Sequence, residues 1–285
     1  MQYLVLGSAG LIGRSLVRFL KAHGDVIEYD IVYGCEQDLR KKSKMLEDYV
    51  RGSDFIYFLA CDIGGAKYIS EYQSTFEFIH NNICILKETF ELLHKYSKTF
   101  IFTSSEMANI SSSPYGCVKS IGEFYCKSLN SPIVKLWNIY GVEKDFNLRS
   151  HVITDFVVSA IKNNSIHVIT DGEEERQFLY VDDCVRYLYA IANDYKNLKI
   201  NQEIHIAGFK WYKIRDIAEI VSQKFGTAVS FGKRKDQTHL NFKFEPNNFI
   251  LNYGRPLISI EEGISIIADH FKAKLNYKKN LIGSE

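Results

Sequence analysis

Apolar positions along the chain follow two alternating patterns. Short apolar runs at residues 3–6, 26–31, 55–60, 99–103 and 133–137 have the length of strands, several of them buried on both faces. Between them, apolar residues recur every three or four positions. Ile12, Leu16 and Leu20 form one such stripe. Met45, Leu46 and Tyr49 form a short one. Phe76, Ile79, Ile83, Leu86, Phe90 and Leu93 form a long one. Strands alternating with helices predict an α/β fold, a Rossmann-type doubly wound parallel sheet. The long stripe reads as core, with a helical dimer face as the alternative. Beyond Tyr140-Gly141 the pattern is mixed. Helices are predicted at 153–161, 184–192, 214–225 and 261–271, and strands at 167–169, 178–181 and 203–206, a smaller mixed α/β C-terminal region. The lysine-rich residues 272–279 are expected to be solvated and flexible. No repeat or low-complexity linker separates the parts, so an extensive shared interface is expected.

Composition narrows the function classes. The chain has 285 residues, 46% apolar and 24% charged, with a net charge of +1. No global field recruits nucleic acid or an anionic membrane. Cys35, Cys61, Cys84, Cys117, Cys126 and Cys184 form no C-x-x-C pair, so a metal site is not expected. Scattered single cysteines read as reduced thiols of a cytoplasmic protein. Met1 leads straight into the first predicted strand, which leaves no room for a signal peptide, and no apolar run approaches the ~18 residues of a membrane span.

Chemistry begins at the first strand. Gly7, Gly10 and Gly13 lie between it and the first helix, spaced G-x-x-G-x-x-G. Glycines there let the backbone approach a pyrophosphate, and a helix N-terminus offers free N–H groups. Asp30 closes the second strand, where a carboxylate can accept hydrogen bonds from adenosine ribose hydroxyls and repel a 2′-phosphate. A mononucleotide or dinucleotide site follows, with NAD favoured over NADP. Further along, Tyr115 and Lys119 share one helix face at i, i+4. An ammonium beside a phenol favours tyrosinate, so Tyr115 is expected to act as a general base on a sugar-type hydroxyl. Ser104 or Ser105, at the end of the preceding strand, can hydrogen-bond the reacting oxygen.

Together these segments resemble the extended short-chain dehydrogenases/reductases of the nucleotide-sugar epimerase/dehydratase family, from residue 1 to about 263. The resemblance implies a cofactor site of Gly7, Gly10, Leu11, Ile12, Gly13 and Asp30. Asp38-Leu39-Arg40 resembles the segment that holds the adenine amino group. Leu59-Ala60 resembles the turn over the adenosine side. Asn82 resembles the asparagine that steadies the central strand. Ser105, Tyr115 and Lys119 resemble the catalytic triad, in which the lysine also binds the nicotinamide ribose. Asn138-Ile139-Tyr140-Gly141 resembles N-V-Y-G, whose asparagine touches substrate. Asp171 to Asp183 resembles G-D-G-x-x-x-R-x-F-x-Y-V-D-D, whose arginine, here Arg176, binds the diphosphate of the nucleotide-sugar substrate. Arg234 is a second candidate for that diphosphate. Residues 253–263 resemble the family's closing segment. Residues 1–165, joined by 177–207, are expected to form the NAD-binding domain, and 166–176 with 208–285 the substrate region. A homodimer through helices near 76–93 and 115–129 is also implied.

Three departures bear on the reaction. Ser105 and Tyr115 are only ten positions apart, so the usual substrate loop is cut short. Met107 stands where some relatives carry a cysteine or a glutamate that transfers a proton. Glu106 can supply that acid if the alignment slips by one, with Ser104 then the hydroxyl. Lys135 replaces an arginine before the N-V-Y-G segment. The reaction expected is transient oxidation at sugar C4, giving a 4-epimerase. A 4,6-dehydratase, with Glu106 as the acid, and a 4-keto-sugar reductase are the alternatives. A non-catalytic NAD-binding regulator is the reading from outside enzymology.

Overall fold

A computed structural model describes residues 1–144, 146–235 and 244–282, with side chains to residue 275. The strands are β1 (Gln2–Leu6), β2 (Asp25–Tyr29), β3 (Phe55–Phe58), β4 (Phe100–Ser105), β5 (Ile133–Leu136), β6 (Asn138–Tyr140), β7 (Ser165–Thr170), β8 (Glu175–Tyr180), β9 (Glu203–Ile206), β10 (Trp211–Lys213) and β11 (Ala228–Arg234). The helices are α1 (Leu11–Leu20), α2 (Lys44–Gly52), α3 (Ala66–Tyr72), α4 (Phe76–Lys95), α5 (Pro114–Ser128), α6 (Val152–Asn163), α7 (Val181–Asn193), α8 (Ile214–Phe225) and α9 (Ile260–Ile282).

The central sheet runs β2-β1-β3-β4-β5-β9, and every pairing in it is parallel. Its strands are apolar on both faces because helices cover both. Tyr3, Val5, Phe55, Tyr57 and Ile101 belong to a core shared with Leu16 and Leu20 of α1 and Leu188 and Ile191 of α7. The alternate residues Leu4, Leu6, Ile56, Phe58, Phe100 and Phe102 pack with Leu46 and Val50 of α2 and Leu86, Phe90 and Leu93 of α4. This period of two, buried on each side, is why the runs looked continuous in sequence. Strand order reverses between β1 and β3, which opens a crevice at the carboxyl ends there. Two small sheets, β10-β8-β6 and β11-β7, stand beyond that edge.

Several sequence expectations change. The long stripe on α4 divides: Leu86, Phe90 and Leu93 are core, whereas Phe76, Ile79 and Ile83 are exposed, Phe76 by 73%. The buried face of α4 runs from its first turn through Phe78, Asn82, Ile85, Leu86, Phe90 and Leu93, so Phe76, Ile79 and Ile83 lie to one side of it. Residues 272–282 are helical, the continuation of α9, with Lys272 over the Phe225 ring. Unbroken helix propensity and this packing explain why the lysines do not end the helix. α3, β6, β10 and β11 are additional elements. β6 and β10 have three residues each, too short to show a period. No helix among the described residues is long and apolar enough to cross a membrane.

Candidate active site

The glycine turn is built around close backbone approaches. Gly7 has φ +86°, and a methyl there would lie 2.7 Å from the Ala60 nitrogen. A methyl on Gly13 would lie 2.1 Å from the Gly7 carbonyl oxygen. Gly10 differs: its nearest neighbour would be that same oxygen at 3.4 Å, an ordinary contact. Gly10 is the N-cap of α1, and no side chain caps the helix, so its first N–H groups face outward. Asp30 follows β2 beside this turn, its carboxylate accepting from Ala9 N–H at 3.0 Å and from Val32 N–H at 3.0 Å. Leu59 and Ala60 follow β3 against Gly7. Leu11 and Ile12 open α1 and are half-buried. Uncapped helix N–H groups, a glycine with free space and a carboxylate at the next strand end fit the pyrophosphate and ribose of a dinucleotide.

The remaining candidate cofactor residues are held tightly. Arg40 binds Asp38 with two nitrogens, at 2.8 and 2.9 Å, which holds the Asp38 carboxyl below its usual range, and Leu39 is buried between them. The Asn82 side chain accepts from Asp62 N–H at 2.8 Å and from the Cys61 thiol at 3.1 Å, and donates to the Phe78 and Asp62 carbonyls. It therefore fastens the loop after β3 to α4.

Ser105, Tyr115 and Lys119 come together at the same edge. Ser113 caps α5, accepting from Gly116 N–H at 3.2 Å, and Pro114 starts the helix, which fixes where Tyr115 emerges. Lys119 is buried and donates to the Thr103 carbonyl at 2.8 Å; its ammonium lies 5.9 Å from the Tyr115 ring centre. Sequence reasoning expects the lysine to lower the Tyr115 pKa. In the structure burial pushes Tyr115 well above the usual range, the Cys61 thiol adds to the rise, and a hydrogen bond with Ser105 pulls the other way. Desolvation of the phenolate outweighs an ammonium already engaged by a carbonyl.

The two serines separate cleanly. Ser104 faces the opposite side of β4 and donates to Glu123 at 2.5 Å. Ser105 accepts from Met107 N–H at 3.2 Å and donates to Glu106 at 3.0 Å. Ser105 is thus the hydroxyl beside Tyr115, and Glu106 reaches it without any slip of the chain. Burial raises the Glu106 pKa, with the Ser105 hydrogen bond and the positive charge of Arg176 opposing the rise. Met107 is buried with Tyr68, Phe78, Ile110 and Tyr115, a packing role.

Of the candidates for substrate, Asn138 is half-buried at the start of β6, two residues past Leu136, which pairs with Ser105. Arg176 on β8 is half-buried, donates to the Glu175 carbonyl at 2.7 Å and directs its field at Glu106. Arg234 is exposed at the end of β11, where it pairs with Thr170 and its carbonyl accepts from Asp171 N–H at 2.8 Å, within the segment that leads into Arg176. Sequence reasoning missed Cys61, which touches both Tyr115 and Lys119 electrostatically. Its position in the sequence offered no signal.

The NAD dependent epimerase/dehydratase family model matches residues 3–207. The chain belongs to that family. Its cofactor is NAD. A putative UDP-glucose 4-epimerase of Methanocaldococcus jannaschii is 25% identical, over 94% of this chain and 98% of its own length. An uncharacterized UDP-glucose epimerase of Bacillus subtilis is 24% identical, over 93% of this chain and 96% of its own. In fold, the chain matches UDP-glucose 4-epimerase of Thermotoga maritima with TM-score 0.77 and 20% identity, covering 96% of this chain and 100% of that one. An NDP-hexosamine 5,6-dehydratase of tunicamycin biosynthesis matches with TM-score 0.78 and 18% identity, covering 95% and 98%. Family members act on nucleotide sugars, and those similar to this chain include epimerases, decarboxylases, dehydratases and reductases.

Proposed function

We propose that the protein is a nucleotide-sugar epimerase that works by transient oxidation at C4 of the sugar. The observation that carries this reading is the convergence of Ser105, Tyr115 and Lys119 at the strand edge that also holds the glycine turn and Asp30. Gly7, Gly10, Gly13, Leu11 and Ile12 hold the pyrophosphate, Asp30 the adenosine ribose, and the 38–39 and 59–60 segments the adenine side. When bound, NAD supplies the hydride acceptor and donor, and its oxidised ring is a positive counter-charge for a phenolate. Tyr115 removes the proton of the C4 hydroxyl. That step needs its raised pKa to fall, and Lys119 is the chain's own cation within reach. The Ser105 hydroxyl hydrogen-bonds the C4 oxygen as charge develops there. Arg176 holds the substrate diphosphate and Asn138 the sugar. Arg234, at the end of β11, is a second candidate for the same diphosphate. Residues 1–165 with 177–207 carry the cofactor, and 166–176 with 208–285 carry the substrate. The exposed faces of α4 and α5 pair two subunits.

Glu106 favours a second reading. A buried carboxyl whose pKa is raised by burial, bonded to Ser105, is suited to exchange a proton with the sugar. Where its carboxylate takes the C5 proton and passes it to the departing C6 hydroxyl, water leaves across C5 and C6, and hydride regained at C6 would make the enzyme a 4,6-dehydratase. Incubation of the purified protein with UDP-, GDP-, dTDP- and CDP-sugars, followed by mass spectrometry, separates the two. An isomer of equal mass supports the epimerase; loss of one water replaces it with the dehydratase; no change in any sugar overturns both.

A further inference from the structure

Behind Ser105, on the other face of the sheet, lies a buried charged row. Strand register sets Ser104, Lys135 and His205 side by side across β4, β5 and β9. Glu123 of α5 lies over them. The Lys135 ammonium is 3.6 Å from Glu123 and 3.5 Å from Glu203, and Glu203 bonds the His205 ring at 2.7 Å. Lys135 is almost wholly buried, and an ammonium taken out of water needs hydrogen bonds as well as counter-charges. Both carboxylates are long contacts. Among the described residues the shortest bond of Lys135 goes to a neutral amide: it donates to the Asn109 side-chain oxygen at 2.9 Å.

Asn109 sits at the surface, so its own burial does not explain the contact. It is the last residue of the 3-10 turn Glu106–Asn109, and Glu106 is the first. This turn forms the first four of the nine residues between Ser105 and Tyr115. Ser105 pins its start through Met107 N–H, and Ile110 N–H closes it onto the Met107 carbonyl at 2.9 Å. Its far end is tied to the sheet through Lys135. A one-turn helix fixed at both ends has little freedom to rotate, so the Glu106 carboxyl keeps its bond to Ser105.

We infer that Lys135 acts through Asn109 as a positioning residue, a strut that holds the shortened turn so that Glu106 stays against Ser105 and beside Tyr115. The inference rests on the reading of Ser105, Glu106 and Tyr115 as the reaction centre. Lys135 stands where relatives are expected to carry arginine, and the short turn ends on the amide that its ammonium reaches. The substitution and the truncation therefore form one device.

The test uses the NAD-loaded protein with Asn109→Leu, which removes the acceptor, and Asn109→Asp, which keeps an oxygen for Lys135. Asn109 is exposed, so both variants should fold. Hydrogen exchange over residues 106–110 should rise about tenfold in Asn109→Leu, the ~1.4 kcal/mol scale of one charge-assisted hydrogen bond. Residues 100–104 and 114–128 should be unchanged, and Asn109→Asp should restore protection. The Glu106 carboxyl infrared band, assigned by its loss in Glu106→Gln, should titrate at lower pH in Asn109→Leu and as in the parent in Asn109→Asp. With UDP-glucose as substrate probe, kcat should fall about tenfold with KM within twofold. Unchanged exchange and an unchanged Glu106 titration in Asn109→Leu overturn the strut. Tyr115→Phe is run beside them: if it retains full turnover, the reading of the reaction centre fails, while exchange and infrared still judge the strut.

Discussion

Two glycine substitutions separate what the turn does for the fold from what it does for the cofactor. In Gly13→Ala the new methyl lies 2.1 Å from the Gly7 oxygen, 2.7 Å from Ser8 Cα and 2.9 Å from the Ser8 carbonyl carbon. All three atoms are backbone, so the turn or α1 must shift. Overpacking of this kind costs about 1–3 kcal/mol, and the helix-propensity gain of alanine offsets at most ~1 kcal/mol. The melting temperature should drop by several degrees, at about 2–4 °C per kcal/mol for a chain of this class. Gly10→Ala is the control. Its φ is −68°, and its methyl meets no protein atom closer than 3.4 Å, so stability should stay within about 0.5 kcal/mol of the parent. The methyl instead occupies the open side of the cradle. Displacing a phosphate from uncapped N–H groups removes at least one charge-assisted hydrogen bond, about 2 kcal/mol, or roughly a 30-fold loss of NAD affinity. Calorimetric titration with NAD and thermal melts of both variants are the assays. Parent-like NAD affinity in Gly10→Ala would refute the argument that the backbone approaches the cofactor there.

Other expectations follow from the same geometry. Tyr115→Phe should abolish turnover of any active nucleotide sugar and leave NAD affinity within a few-fold, as read by product analysis and calorimetry. Glu106 has a folded pKa raised by burial, so its contribution to stability is present at acid pH and is lost as pH rises through that raised value. The melting temperature of the parent relative to Glu106→Gln should therefore decrease as pH rises from acid toward neutral. Phe76 and Phe124 are 73% and 64% exposed on adjacent helices, with Ile79, Ile83 and Ile121 beside them. In the dimer proposed above these residues pair two subunits, so Phe124→Glu should shift sedimentation toward monomer without lowering the melting temperature of the subunit core.

The sheet was legible in sequence because its strands are buried on both faces and its helices carry one apolar stripe each. The glycine turn, Asp30, Tyr115 and Lys119 were legible because local spacing fixes them. What escaped was set by tertiary contact. Phe76, Ile79 and Ile83 lie beside the buried face of α4, which runs from Phe78 to Leu93, and only tertiary packing decides where that face is centred. The rise in the Tyr115 pKa depends on burial and on Cys61, brought from 54 positions away in the chain. The choice between Ser104 and Ser105 depends on which face of β4 each occupies, and Glu123 takes Ser104 out of the site.

Transient oxidation at C4 is tested most directly with a nucleotide sugar that turns over, deuterated at C4. The account calls for a slowed first turnover and for an epimeric product that keeps the deuterium at C4. Product formed with the C4 label washed out to solvent, or at an undiminished rate with the C4–H bond never broken, would contradict it.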